Sequence, residues 1–168
     1  DVALVEAGRF FPASELGRDP LAILRNAYLD GGATIALGRP AMPVPLGQTV
    51  GGTTTINSGT CFRTPDRVLD KWEKLGLPVD RVALDAAFSR VEERISVRLV
   101  PPELLGGSSH VIARGAEALG LKHGPLKRNI GDCRMSARCA VGCPRDGKQS
   151  MNVTYVPRAL ENGATLYT

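Results

Sequence analysis

Paired glycines followed by small hydroxyl side chains mark one stretch of this chain for chemistry. It reads Thr49-Val50-Gly51-Gly52-Thr53-Thr54-Thr55-Ile56-Asn57-Ser58-Gly59-Thr60. Glycine lets backbone N–H groups come close to an anion because no Cβ stands in the way. Thr53, Thr54 and Thr60 add hydroxyl donors, and Asn57 adds an amide that both donates and accepts. Such an array suits a pyrophosphate or the polar edge of a flavin ring. Taken alone, it is equally a Gly/Thr-rich turn between packed elements.

A second candidate is Glu6, which closes the apolar run Val2 to Val5 and precedes Ala7-Gly8. In dinucleotide folds, a carboxylate at a strand end accepts hydrogen bonds from ribose hydroxyls, about 20 residues after the phosphate-binding glycines. No G-x-G-x-x-G occurs in this sequence. By itself, Glu6 is by default a carboxylate capping a surface turn.

The third candidate is a group of thiols. Cys133, Cys139 and Cys143-Pro144 have the spacing of a bacterial ferredoxin run, with Ser136 at the second cysteine position. Three thiolates could hold a three-iron cluster or a metal with an open position, and a disulfide would need an oxidising compartment. Structural thiols are the simpler expectation, and Cys61 is expected to be a buried small hydrophobe.

These residues need elements to hold them. Val2 to Val5 reads as a strand buried on both faces, as continuous apolar runs usually are. Residues 9–48 show one short helical stretch, Leu21 to Tyr28, with Asp19-Pro20 able to start it. Val68 to Leu75 follows Thr64-Pro65-Asp66, whose oxygens can cap it, and Gly76 can close it. Trp72 is expected to be a packing residue there. Further helices are expected over Arg81 to Ile95 and over His110 to Leu119, the latter capped by Ser109. His110 and His123 read as surface residues. After Ser150, Pro157 requires either a kink or a helix starting near it, and Ala164 to Thr168 reads as a strand. The first residue is Asp1 and both ends fall inside strands, so both ends are expected to be cut.

The chain has 168 residues, 43% of them hydrophobic and 23% charged, which is ordinary globular composition. No apolar run approaches the roughly 20 residues of a membrane span. Seven Lys or Arg lie between Lys122 and Lys148, but no aromatics are interleaved for base stacking, so nucleic acid is not an expected partner. The compartment is left open, with the cytoplasm favoured.

Glu6-Ala7-Gly8, then Val50 to Gly59 at this distance, resembles the FAD-binding part of glucose-methanol-choline (GMC) oxidoreductases. The run Gly142-Cys143-Pro144-Arg145-Asp146-Gly147-Lys148-Gln149-Ser150, followed by Thr154 to Leu160 and Gly163-Ala164, strengthens the likeness. It is most similar to the branch of long-chain alcohol oxidases and related bacterial dehydrogenases. Between residues 80 and 125 it rests on helix pattern alone.

The resemblance implies an α/β (mixed α+β) fold. Residues 1–168 would be a partial, Rossmann-like FAD-binding domain with irregular loops and helical insertions, lacking the glycine fingerprint and the catalytic region. It implies that Glu6 binds the adenosine ribose of FAD, and that Gly51, Gly52 and Thr53 line the pyrophosphate. Asn57, Ser58 and Thr60 would meet the ribityl chain and the isoalloxazine ring. Where some members attach flavin through a His, this chain has Ile56, so FAD is expected to be non-covalent. The implied substrate is a small-molecule alcohol, oxidised at its CH–OH group. The implied catalytic base lies outside this chain, and the rest of its own chain is required. The alternative is an electron-transfer or metal-binding module built on Cys133, Cys139 and Cys143.

Overall fold

The first helix begins where an acceptor stands beside a proline. Asp19 Oδ1 accepts from the N–H groups of Leu21, at 2.9 Å, and Ala22, at 3.2 Å, and Pro20 occupies the first helical position. The computed structural model describes residues 1–168. In chain order the elements are β1 (Ala3–Val5), α1 (Pro20–Ala27), β2 (Ile35–Ala36), β3 (Met42–Pro43), α2 (Thr53–Ile56) and α3 (Asp66–Lys74). There follow α4 (Arg81–Arg94), β4 (Val97–Leu99), α5 (Gly107–Ala118), β5 (Lys127–Asn129), α6 (Tyr155–Glu161) and β6 (Thr165–Tyr167). The fold is thus mixed, with helices and three two-stranded sheets.

Two units divide the chain: residues 1–59 with 130–168, and residues 60–129. In the first, β1 pairs in parallel with β6, Ala3 opposite Thr165 and Val5 opposite Tyr167. Its apolar cluster is Phe11, Leu16, Ile23, Ala27 and Ile56, with Tyr28 and Val141 packed against it. The strand at Val2 to Val5 is not buried on both faces as expected, since Val5 is 85% exposed. A sheet of two strands gives β1 one neighbour; Ala3 and Val5 on one face are exposed, and Leu4 on the other is half-buried. α6 starts at Tyr155, which puts Pro157 in the first turn. There a missing N–H breaks no helical bond, so no kink is needed.

In the second unit β4 and β5 are antiparallel, Val97 opposite Asn129 and Leu99 opposite Lys127. Asp80 caps α4 by accepting from Ala83 N at 2.9 Å. Arg81 at the start of α4 pairs with Asp70 (2.6 Å) and Glu73 (3.0 Å) on α3. Arg63 bonds Asp85, Ser89 and Glu92 along one face of α4.

Three capping and packing expectations fail here. No side chain caps α3, whose first turn follows Pro65. Trp72 is 40% exposed, and Leu69 is the buried residue of that helix. Ser109 lies inside α5, which opens at Gly107 after an extended Gly106, so it is not the cap.

Candidate cofactor site

Where β1 ends, the ladder is carried one bond further by Glu6 N, which donates to Tyr167 O at 2.9 Å. The half-buried Glu6 side chain folds back, and its Oε1 accepts from Gly8 N at 2.8 Å. Oε2 is left for an outside donor. Gly8 has no room for a side chain: a Cβ there would lie 2.0 Å from the Gln48 carbonyl oxygen and 2.4 Å from Thr49 N. Arg9 O then accepts from Val50 N at 3.2 Å and from the Thr49 hydroxyl at 3.0 Å. The turn after the strand-end carboxylate is thereby built against residues 48–50, which lead into the glycine pair, within one unit.

The two glycines of the pair do different things. Gly51, at φ +93, faces inward, and a Cβ would meet Thr55 Oγ1 at 2.6 Å and Asn152 N at 2.7 Å. Gly52, at φ +57, faces open space, with nothing within 4 Å of its Cβ position. It immediately precedes α2; its own N–H donates to Thr49 O at 2.6 Å and Thr55 N donates to Gly52 O at 3.1 Å, so the open amides of the helix start are those of Thr53 and Thr54.

The threonines of α2 are mostly committed to the protein. Thr54 Oγ1 donates to Gly51 O at 2.5 Å and accepts from Met151 N at 3.0 Å, which corrects its reading as a ligand donor. Thr55 is buried, with its hydroxyl 3.1 Å from Val50 O and 3.2 Å from Asn152 Oδ1. Thr53 Oγ1 accepts from Gly47 N at 3.0 Å and keeps its proton for an outside acceptor. Ile56 is 3% exposed, with its side chain in the apolar cluster. Asn57 and Ser58 are exposed beyond the helix end, and Asn57 Oδ1 accepts from Gly59 N at 2.9 Å. Thr60 belongs to the second unit, where its backbone bridges to Arg128.

Beneath α2 lies a buried polar floor that the sequence reading missed: Lys148, Ser150 and Asn152. Ser150 Oγ donates to Asn152 Oδ1 at 2.6 Å, and Lys148 Nζ donates to the carbonyls of Thr55, Asn57 and Cys139. The signal for it is the run Gly147-Lys148-Gln149-Ser150, a lysine flanked by glycine and polar residues.

All four cysteines are free, and no group of three His, Cys, Asp or Glu converges to hold a metal. The ferredoxin-like spacing is therefore not realised as a cluster site. Between Cys133 and Cys139 the backbone turns through Met135 (φ 52) and Ala137 (φ 54), and Cys139 opens a short 3-10 turn. Cys61, expected to be buried, is half-buried, and desolvation pushes its thiol pKa up.

The donor set fits FAD. An open glycine at a helix start offers amides to an anion, a strand-end carboxylate keeps one oxygen for a hydroxyl, and Asn57 presents an amide outward. Residues 24–168 match the model of the GMC oxidoreductase family. The chain belongs to the GMC oxidoreductase family. The matched part is the family's N-terminal, FAD-binding domain.

The chain is 36% identical, over 99% of its length, to the uncharacterized GMC-type oxidoreductase Rv0492c of Mycobacterium tuberculosis, and covers 27% of that relative. It is 34% identical over 98% of its length to GMC-type oxidoreductase y4nJ of Sinorhizobium fredii, covering 33% of it. To long-chain-alcohol oxidase FAO4B of Arabidopsis thaliana it is 28% identical over 99% of its length, covering 22%. The chain thus spans between about a fifth and a third of the length of these GMC relatives. No helix is long and apolar enough to cross a membrane.

Proposed function

We propose that the full-length protein is an FAD-dependent oxidoreductase acting on the CH–OH group of a small-molecule alcohol. Residues 1–168 would supply part of its Rossmann-like FAD-binding domain. One observation carries this reading: the Glu6–Gly8 turn is packed directly on the Gln48–Gly52 segment that leads into α2. A ribose acceptor and an open phosphate-facing turn are the two halves of a dinucleotide site, and the close packing of Gly8 on Gln48 and Thr49 supports that reading.

In this reading Glu6 Oε2 accepts from the adenosine ribose. Gly52 and the opening amides of α2 face the pyrophosphate with the Thr53 hydroxyl. Gly51 contributes by allowing the turn to close on Asn152. The roles of Asn57, Ser58 and Thr60 toward the ribityl chain and ring carry over from the resemblance. A flavin held there would accept the hydride from the alcohol carbon, while a base from the rest of the full-length chain takes the hydroxyl proton. FAD is held non-covalently, since Ile56 offers a hydrocarbon side chain that is moreover sunk in the core.

The alcohol oxidase names of the Arabidopsis relatives support the CH–OH donor class. The full-length protein, freed of flavin, is titrated with FAD by fluorescence. Primary and secondary alcohols are then added without oxygen while flavin absorbance is followed. Stoichiometric binding and alcohol-dependent bleaching are expected. Failure to bind FAD, or a flavin that no alcohol bleaches, refutes the reading.

A further inference from the structure

Lys148 is a charged residue only 2% exposed. Removing an ammonium from water is strongly unfavourable unless its protons find acceptors. Lysine has three N–H donors, and Nζ directs them at three backbone carbonyls: Thr55 at 2.9 Å, Asn57 at 2.7 Å and Cys139 at 2.9 Å. Two of these acceptors belong to the last turn of α2 and the residue just after it. Carbonyls there lack intrahelical donors, and a cation is favoured at that end of a helix.

Asn57 is where the chain leaves α2 for extended backbone, at φ −82 and ψ 174. Its N–H donates to Thr53 O at 2.9 Å, its carbonyl accepts from Lys148, and its Oδ1 accepts from Gly59 N. The side-chain NH2 is what it presents outward. Lys148 is itself held in place. Its backbone bridges to Ile130, and its carbonyl accepts from Ser150 N at 2.9 Å. The following residues touch the same helix, Met151 N on Thr54 Oγ1 and Asn152 Oδ1 beside Thr55 Oγ1. Residues 148–152 therefore grip α2 from Thr54 to Asn57, with the ammonium at the end nearest the exposed pair Asn57 and Ser58.

We propose that Lys148 is the positioning residue of the cofactor segment: by fixing the Thr55 and Asn57 carbonyls, its buried ammonium sets the direction in which Asn57 and Ser58 leave α2. The proposal rests on the flavin reading for what Asn57 and Ser58 meet. The clamp itself is a property of the flavin-free protein. If Lys148 merely filled space, an apolar residue of similar length would replace it.

Lys148→Met keeps the stem and leaves the Thr55 and Asn57 carbonyls without this donor, while Cys139 O keeps Gly142 N at 3.3 Å. Lys148→Arg keeps charge and donors, but a planar fork matches three convergent acceptors poorly. Leu69→Ala, a core truncation in the other unit, controls for general destabilisation.

Two measurements are made on the full-length protein. In the flavin-free state, amide exchange at Asn57 and Gly59 is compared with that at Ile23, whose N–H bonds Asp19 O. Lys148→Met is expected to speed exchange at Asn57 and Gly59 at least tenfold relative to Ile23. Lys148→Arg should fall between it and wild type, and Leu69→Ala should leave the ratio unchanged. In the second measurement, the FAD Kd of Lys148→Met should rise at least tenfold, with Leu69→Ala within twofold of wild type.

Exchange at Asn57 and Gly59 that is unchanged, or that rises no more than at Ile23, overturns the proposal. So does an unchanged FAD Kd in Lys148→Met, a result that would leave the flavin reading standing. Should wild type take up no FAD, the flavin reading fails, and the exchange measurement alone decides on the clamp. Should Lys148→Met not fold, the Arg variant decides, and behaviour identical to wild type in both measurements overturns the proposal.

Discussion

Replacing Gly51 by alanine separates the two glycines of the cofactor turn. A Cβ at Gly51 would sit 2.6 Å from Thr55 Oγ1, 2.7 Å from Asn152 N and 3.0 Å from Asn152 Cβ, on a backbone at φ +93. Contacts under 3.0 Å force a shift, and two of these neighbours cannot give way cheaply. Asn152 N is main chain, and the Thr55 hydroxyl is buried between Val50 O and Asn152 Oδ1. The backbone conformation costs an alanine about 1–3 kcal/mol, and overpacking adds about 1–3 kcal/mol. Gly51→Ala is therefore expected to destabilise the flavin-free protein by about 2–6 kcal/mol, the sum of strain and overpacking. Gly52→Ala has no such neighbour. At φ 57 and ψ −149 it should lose only the strain, about 1–3 kcal/mol. Denaturant unfolding of the flavin-free full-length proteins reads both values, and FAD titration of the folded fraction reads affinity. Gly52→Ala should weaken FAD, and Gly52→Val should weaken it further by crowding the phosphate approach. A Gly51→Ala protein as stable as Gly52→Ala would refute the inward and outward assignment. Full FAD affinity in both Gly52 variants would mean the turn is only a turn.

Glu6→Ala should weaken FAD by about 1.5–3 kcal/mol, the range for a hydrogen bond to a charged group, and an unchanged Kd in the same titration removes Glu6 from the site. Acid or heat denaturation followed by filtration should release the yellow flavin, and colour retained on the precipitated chain would contradict non-covalent binding. Asn57→Ala should change the rate of flavin reduction by alcohol more than flavin content, as compared by stopped-flow and absorbance. Glu92 is held below the ordinary carboxylate pKa, first by its hydrogen bond from Arg63. A depressed carboxylate pKa contributes stability that is present above the unfolded value, near 4.5, and lost as pH falls through the lower folded value. Arg63→Met should flatten that acid limb in unfolding measured from pH 6 downward, and an unaltered limb would show the pair to be thermodynamically idle.

Local signals were legible wherever a few neighbouring residues decide the outcome. Asp19-Pro20 started α1, and Gly76 took the left-handed turn after α3. Ser109 misled because a helix can begin on Gly107 and Ser108 without any side-chain cap. The sheets β2–β3 and β4–β5 escaped notice for another reason. Strands of two or three residues show no alternation, and Val97–Leu99 finds its partner 28 residues later at Lys127–Asn129. The apolar run Val2 to Val5 records what a strand can bury, and within residues 1–168 its one partner is β6. Lys148 was invisible as a clamp since its acceptors are backbone carbonyls, and a carbonyl carries no residue identity.

The chain enters and leaves residues 60–129 through bonded neighbours. Thr60 bridges Arg128, and Cys61 N donates to Lys127 O at 3.0 Å. To the rest of the chain this segment is one long closed loop, and loop-closure entropy grows by only about 0.6 kcal/mol for each doubling of length. Lengthening or shortening the Leu121–Gly124 stretch should therefore cost the glycine turn and its lysine clamp little. Residues 47–59 and 148–152, by contrast, are bonded to each other, Met151 N to Thr54 Oγ1 and Lys148 Nζ to the Thr55 and Asn57 carbonyls.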